Sequence, residues 1–159
     1  GRRTVKDLLP DLGVQLKPVG RLDKDSEGLL IFTNDGQLAL RLMHPRYHVE
    51  KEYLVSVEDE PDEKDIEKLR KGIYIEGGKT LPAEVTVSRH NPSEFRIVIQ
   101  EGRKRQVRLM CIAIGHPVKK LKRVRVGALR LKDIPRGTCK MLGKAEVNAL
   151  RETVGLEPL

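Results

Sequence analysis

Three separated segments carry side chains that core patterning alone does not ask for. The first is Pro18-Val19-Gly20-Arg21-Leu22-Asp23-Lys24-Asp25-Ser26-Glu27-Gly28, a polar loop that runs into an apolar stretch. Loops anchored to rigid strands are common places for reactive groups, and a carboxylate held there can serve as nucleophile or base. Taken alone, Asp23 reads as a surface or turn acid, because no His or second Asp stands at a spacing diagnostic of a hydrolase or a metal site. The second segment is Glu50-Lys51-Glu52-Tyr53-Leu54-Val55, where Tyr53 alone reads as a core or sheet-surface ring. The third is Glu101-Gly102-Arg103-Lys104-Arg105-Gln106-Val107-Arg108, a strand giving way to a helix among basic residues. Backbone N–H groups at a helix start favour phosphate and guanidinium groups add charge-assisted hydrogen bonds, so this segment reads as a polyanion site.

The distribution of charge agrees with that reading. The 159 residues hold 31 Lys+Arg against 23 Asp+Glu, a net charge of +8, which favours a polyanionic partner such as nucleic acid or an anionic membrane. Between Gly102 and Lys132 there are eleven basic residues (Arg103, Lys104, Arg105, Arg108, Lys119, Lys120, Lys122, Arg123, Arg125, Arg130, Lys132) and no acidic one. The run Glu58-Asp59-Glu60-Pro61-Asp62-Glu63 is acidic instead, and two such faces orient a polyanion rather than merely attract it. With no Trp, two Phe and three Tyr, a platform of many stacked aromatics is not expected, and one or two rings must stack any bound base.

Other classes recede. Apolar runs such as Leu29-Leu30-Ile31-Phe32 are far too short to span a bilayer and no signal segment opens the chain, so a cytoplasmic protein with no membrane partner is expected, monomeric by default. Cys111 and Cys139 lack CxxC or Cys/His spacing. They read as two buried thiols in a reducing compartment, with no metal.

The elements that must position these groups follow from period and punctuation. Thr4 and Asp7 have capping-box character and predict a short helix ending near Pro10. Gly28 to Thr33 reads as one strand stopped by Asn34-Asp35-Gly36, followed by a brief helix over Gln37 to Met43. Glu52 to Val57 alternates as a half-buried strand. A helix over about Asp62 to Lys71 precedes a short strand at Ile73 to Ile75 and a Gly77-Gly78 turn. Glu84 to Ser88 and Phe95 to Ile99 read as an antiparallel pair joined through Asn91-Pro92. Val107, Met110, Cys111 and Ile114 share one face of a helix over Lys104 to Ile114, ended by Gly115. Leu121 to Val126 and Ala128 to Leu131 are strands interrupted by Gly127, and Ala145 to Thr153 is a terminal helix. Hairpins dominate over βαβ alternation, which predicts one α+β domain on a mixed, mainly antiparallel sheet flanked by helices.

Together the motifs have a family resemblance. Gly20-Arg21-Leu22-Asp23, Ser26-Glu27-Gly28-Leu29-Leu30 and Thr33-Asn34-Asp35-Gly36 resemble the catalytic motif of ribosomal-RNA pseudouridine synthases of the RsuA/RluB/RluE/RluF branch. Lys51-Glu52-Tyr53 resembles that family's tyrosine motif. Glu101 to Arg108 with Gly115-His116-Pro117-Val118 resembles its basic motif, and Leu121 to Gly127 is similar too. These ordered motifs run from Gly20 to Gly127, about two thirds of the chain.

The resemblance implies isomerisation of uridine in ribosomal RNA to its carbon-linked isomer, with no cofactor. Asp23 matches the family's nucleophilic aspartate, which attacks the sugar C1′ or the base C6 or assists loss of the base; these routes stay open. Tyr53 matches the ring that packs on the target base and helps remove the C5 proton. Arg108 matches the arginine that pairs with the catalytic carboxylate, and Leu121 the apolar residue lining the pocket. Arg21 is placed to contact phosphate or fill the vacated stack. Arg103, Lys104, Arg105, Lys119, Lys120, Lys122, Arg123 and Arg125 are the expected RNA-binding set. Lys104 and Leu109 depart from the family's usual Asn and Arg.

Members carry an N-terminal S4-type RNA-binding domain and a further first strand, so residues 1–159 are expected to be the catalytic domain without them. His44, His48 and His116 are expected to be structural or to contact RNA. The Arg41-Leu42-Met43-His44-Pro45 and Ile134-Pro135-Arg136-Gly137 segments favour a large-subunit over a small-subunit target. The competing expectation is a catalytically inactive RNA-binding or ribosome-assembly module. A purely structural or protein-interaction domain would leave the acid-free basic stretch unexplained.

Overall fold

Turn and capping chemistry divides the chain where the sequence predicts it, with one informative exception. The computed structural model describes residues 5–132 and 134–159. Elements in chain order are β1 (Lys17–Val19), β2 (Glu27–Gly28), β3 (Ile31–Thr33), α1 (Gly36–Met43), β4 (Lys51–Val57), α2 (Glu63–Lys71), β5 (Tyr74–Ile75) and β6 (Gly78–Lys79). There follow β7 (Glu84–Val87), β8 (Glu94–Ile99), α3 (Gln106–Ala113), β9 (Val118–Val126), β10 (Leu129–Arg130) and α4 (Lys144–Thr153). A single 3-10 turn over Val5–Leu8 stands where the first helix is predicted. The capping role of Thr4 lies outside the described residues.

Helix boundaries follow from side-chain caps. Asp35 accepts hydrogen bonds from the backbone N–H groups of Gln37 and Leu38 and so starts α1. Asp62 and Asp65 close a capping box at the start of α2. Each helix then buries residues at helical spacing: Leu38, Ala39 and Leu42 from α1, Ile66 and Leu69 from α2, Val107, Met110 and Cys111 from α3. His116 braces α2 from outside, its Nδ1 2.8 Å from the Glu58 carbonyl and its Nε2 3.3 Å from Asp65.

The main sheet runs in the order β10-β9-β4-β8-β7, with β2 added alongside β9. All its pairings are antiparallel except β2 with β9, so the sheet is mixed and mainly antiparallel. One core packs the sheet against α2 and α3 through Val55, Phe95, Ile97, Leu69 and Met110. A second joins β1 and β3 to α1, α4 and the end of β9 through Val19, Ile31, Leu42, Val126 and Leu150. No helix among the described residues is long and apolar enough to cross a membrane.

The exception is the strand predicted over Gly28 to Thr33, which divides in two. β2 pairs with β9 in the main sheet, whereas β3 pairs with β1 in a separate two-stranded sheet. Apolar periodicity cannot register such a switch, because Leu29 and Ile31 are buried in the second core either way. β1 itself lies in what reads as polar loop. The predicted helix at Lys104 begins two residues later, after Arg105 takes a left-handed conformation (φ 56°). Cys111 is buried, and burial pushes its thiol up to about 12. Cys139 is exposed, correcting the expectation of two buried thiols; it stands in an irregular stretch between the last strand and α4.

A buried carboxylate ties the sheet together on its polar face. Glu52 on β4 is 8% exposed and accepts hydrogen bonds from Arg125 Nε (β9) at 3.1 Å and Arg96 Nη1 (β8) at 2.9 Å, with Arg130 (β10) at 3.8 Å. Burial pushes the Glu52 carboxyl up, but the bonds from Arg125 and Arg96 outweigh it and hold the group below the usual glutamate range. A carboxylate with a depressed folded pKa contributes stability that is present above its unfolded pKa and is lost as pH falls through the folded value. Glu52→Gln should therefore cost about 1–2 kcal/mol at neutral pH, and the deficit should be smaller at an acid pH below the usual glutamate range. Urea unfolding of both proteins at the two pH values checks this, and a pH-independent deficit would count against it.

Candidate active site

The Asp23 loop is clamped at both ends. Val19 and Ile31, paired across β1 and β3, bury themselves in the second core on either side of it. Within the loop the Ser26 N–H donates to the Asp23 carbonyl at 2.9 Å, closing a turn over Lys24 and Asp25. The far end docks on β9, with Glu27 opposite Lys122 and Gly28 opposite Arg123. Gly28 has φ 119° and lies so close to β9 that a Cβ there would collide with the Arg123 backbone. Leu29 N–H donates to the Arg123 carbonyl at 2.8 Å, and Arg123 Nε and Nη2 return bonds of 2.9 and 2.7 Å to the Leu29 carbonyl.

The start of α3 meets this loop with two arginines. Arg105 reaches both carboxylate oxygens of Asp25 at 3.3 Å, and its Nη1 stands 3.8 Å from Asp23 Oδ2. The Arg105 hydrogen bond holds the Asp25 carboxyl below the usual aspartate range. Arg108, 8% exposed, donates from Nη2 to the Asp25 carbonyl at 2.7 Å and to Ser26 Oγ at 3.1 Å, with Nη1 3.3 Å from Asp25 Oδ2. Arg108 is expected to pair with the carboxylate of Asp23; in this structure its contacts go to Asp25 and Ser26. Arg105, on the exposed helix start, is the cation that reaches Asp23, while Arg108 sits deeper and grips the base of the loop. Among the described residues Arg108 Nε is a buried donor with no partner.

Tyr53 approaches from the sheet. It lies opposite Arg123 of β9 on one side and Ile97 of β8 on the other, and packs half-buried against the first core. Gly28 lies opposite the same Arg123, so Gly28, Arg123 and Tyr53 form one row across three strands, placing Tyr53 roughly 10 Å from the loop's anchor. Lys51 stands two residues before Tyr53, with its ammonium beside Gly102. Burial, then repulsion from Arg123, lowers its pKa, and no carboxylate pairs with it among the described residues. Sequence reasoning gave no role to Lys51, Asp25 or Ser26; Asp25 has the same side chain as Asp23 and differs from it only in where the turn points it.

The expected RNA-binding residues fall into two groups. Arg103 donates to Glu101 at 3.0 Å and to the carbonyls of Gly78 and Lys79 at 2.8 Å each. Arg125 binds Glu52, Glu50 and the Gly127 carbonyl, and Arg123 is committed to Leu29. In this structure these three brace the fold from within, through carbonyls and carboxylates of the chain itself. Arg21, Lys104, Lys119 and Lys120 are exposed and Lys122 half-buried, and none makes an ion pair among the described residues. Leu121 is 5% exposed within the first core. Two surface concavities, lined by residues such as Leu40, Arg41 and Tyr47 and by residues such as His48, Leu81 and Val98, include neither Asp23 nor Tyr53.

Comparison with known proteins is consistent across sequence and fold. A family model described as RNA pseudouridylate synthase matches residues 3–113. An uncharacterised RNA pseudouridine synthase of Aquifex aeolicus is 40% identical over 99% of this chain and 64% of its own length. Ribosomal large subunit pseudouridine synthase B of Bacillus subtilis is 41% identical over 95% of this chain and 64% of its own length. This chain therefore spans somewhat less than two thirds of these relatives. A crystal structure of a pseudouridylate synthase superposes with a TM-score of 0.86 at 32% identity, covering 92% of this chain and 65% of the other.

The docking of Gly28 on β9 has a direct test. Gly28→Ala combines a backbone collision with a positive φ, and should lower unfolding free energy by about 2 kcal/mol or more. Chemical denaturation measures it; an unchanged midpoint would show that the contact does not hold the loop.

Proposed function

Because this chain belongs to the RNA pseudouridylate synthase family, we propose that it isomerises uridine in large-subunit ribosomal RNA to pseudouridine, with Asp23 as the acting carboxylate. The observation that carries the reading is convergence: segments near residues 23, 53 and 105 meet around β9, and Asp23, its side chain 30% exposed, faces a guanidinium at 3.8 Å. The large-subunit target is supported by the B. subtilis relative's name.

The reaction breaks the C1′–N1 bond, turns the uracil, forms C1′–C5, and moves a proton from C5 to N1, so atoms and electrons balance within the nucleotide. Whether the carboxylate attacks C1′, attacks C6 or assists loss of the base, it must be ionised and near the sugar. Arg105 sets a positive charge 3.8 Å from that carboxylate and orients it. Arg108 acts by positioning: it fixes the turn that presents Asp23. Tyr53 offers a ring for the uracil and a phenol near C5. Taking the target base out of its stack costs a few kcal/mol, and an aromatic contact offsets part of that. Exposed Arg21 serves a phosphate or the vacated stack, with Lys104, Lys119, Lys120 and Lys122 on flanking phosphates. We read residues 1–159 as the catalytic domain, acting in the cytoplasm as a monomer.

Asp23→Asn keeps shape and removes the charge. Pseudouridine formation in unmodified ribosomal RNA should fall at least about a thousandfold while RNA affinity stays within a few-fold. Wild-type activity in that variant would overturn the assignment. RNA binding by the wild-type protein with no pseudouridine formed would favour the inactive RNA-binding or assembly module.

A further inference from the structure

Away from Asp23, a short hairpin is braced more heavily than its own packing requires. β5 and β6 pair through Tyr74 opposite Lys79 and Ile75 opposite Gly78. At its base Thr80, 3% exposed, accepts the Ile73 N–H on Oγ1 and returns its own N–H to the Ile73 carbonyl, both at 2.9 Å. Along β6, Arg103 donates to two consecutive carbonyls, Gly78 and Lys79. Just beyond, Leu81 N–H donates to Glu101 at 2.7 Å. The segment Glu101 to Arg105 thus holds the hairpin with one arginine and the Asp23 loop with another.

What this bracing presents is an aromatic ring. Tyr74 is 75% exposed, while Phe95 is fully buried and Phe32, Tyr47 and Tyr53 are at least half-buried. The Lys79 ammonium lies 5.8 Å from the Tyr74 ring centroid. An exposed tyrosine by itself is ordinary; one fixed on a rigid hairpin, flanked by a lysine and yoked to a basic loop, is preorganised for a ligand with a flat π-face and a negative charge.

We propose that Tyr74 and Lys79 form a nucleotide-stacking site for unpaired RNA beside the target uridine, the ring taking a base and the ammonium its phosphate. This rests on the reading of the chain as an RNA-modifying enzyme and extends it, because it adds a second contact to the one at Asp23. RNA is the occupant that charge favours: exposed Lys79 flanks the ring, and Arg103 ties the hairpin to the segment that carries exposed Lys104, with Glu76 the acid on the hairpin tip. A base on the ring also supplies the aromatic contact that a chain with five Phe and Tyr can provide at few places.

The test compares wild type, Tyr74→Ala and Tyr74→Phe for affinity to an unmodified large-subunit ribosomal RNA transcript at fixed ionic strength, and for pseudouridine formation at saturating RNA. Tyr74→Ala should weaken binding about tenfold, with the loss in affinity rather than in the saturated rate, and Tyr74→Phe should bind like wild type. The exposed position keeps both variants folded, which thermal melting checks. Equal affinity for Tyr74→Ala and wild type overturns the site, as does an equal loss in Tyr74→Phe. A defect seen only on ribosomal precursor particles, with free RNA bound normally, also overturns it and assigns the hairpin to a protein contact. If wild type binds the transcript without modifying it, the catalytic reading fails while the Tyr74 comparison still decides the stacking site. If wild type does not bind, both fall.

Discussion

The two-residue parallel contact between β2 and β9 is the constraint on which the site depends. Gly28 permits two backbones to approach closer than any side chain would allow, and the Arg123 guanidinium, 8% exposed, closes on the Leu29 carbonyl with two bonds. The contact converts the end of a polar loop into a fixed point of the main sheet. From there the chain leaves to pair with β1 and enter the second core, so the Asp23 turn is strung between two separately packed bodies of side chains. A loop restrained at both ends loses little further entropy when it engages a substrate.

The basic stretch that first suggests RNA contains two kinds of cation, and they divide by chemistry. Arg103, Arg108, Arg123 and Arg125 each bind backbone carbonyls as well as any carboxylate, using the planar guanidinium as a multi-donor brace. Lys104, Lys119 and Lys120 remain in solvent, where a compact ammonium on a flexible stem suits a mobile phosphate. Net charge thus overstates the number of groups available to a polyanion, since several of the positive charges are consumed in holding the fold.

Arg105 is shared unequally between two acids. Asp25 takes the bidentate contact, and Asp23 is left with the longer one at 3.8 Å. Asp25 is held ionised by that bond and keeps the guanidinium in place. Asp23 is beside the charge at the longer distance, with its side chain 30% exposed. Arg108 completes the arrangement from below by fixing the Asp25 carbonyl and Ser26 hydroxyl.

The α+β class, most element positions and the Asp23, Tyr53 and Glu101–Arg108 segments were legible in the sequence, because caps, alternation and motif spacing are local properties of the chain. Asp35 and Asp62 announce their helices, and the alternation of β4, β7 and β8 survives into the sheet. Only the tertiary structure decided that Gly28 and Ile31 belong to different sheets, that Arg105 rather than Arg108 reaches Asp23, and that Arg103, Arg123 and Arg125 turn inward. Those outcomes depend on which side of a strand or helix meets another element distant in the chain, 25 residues away for Arg103 and 94 for Arg123. Periodicity along the chain carries no record of that meeting, since a guanidinium directed at a phosphate and one directed at a backbone carbonyl are written with the same residue.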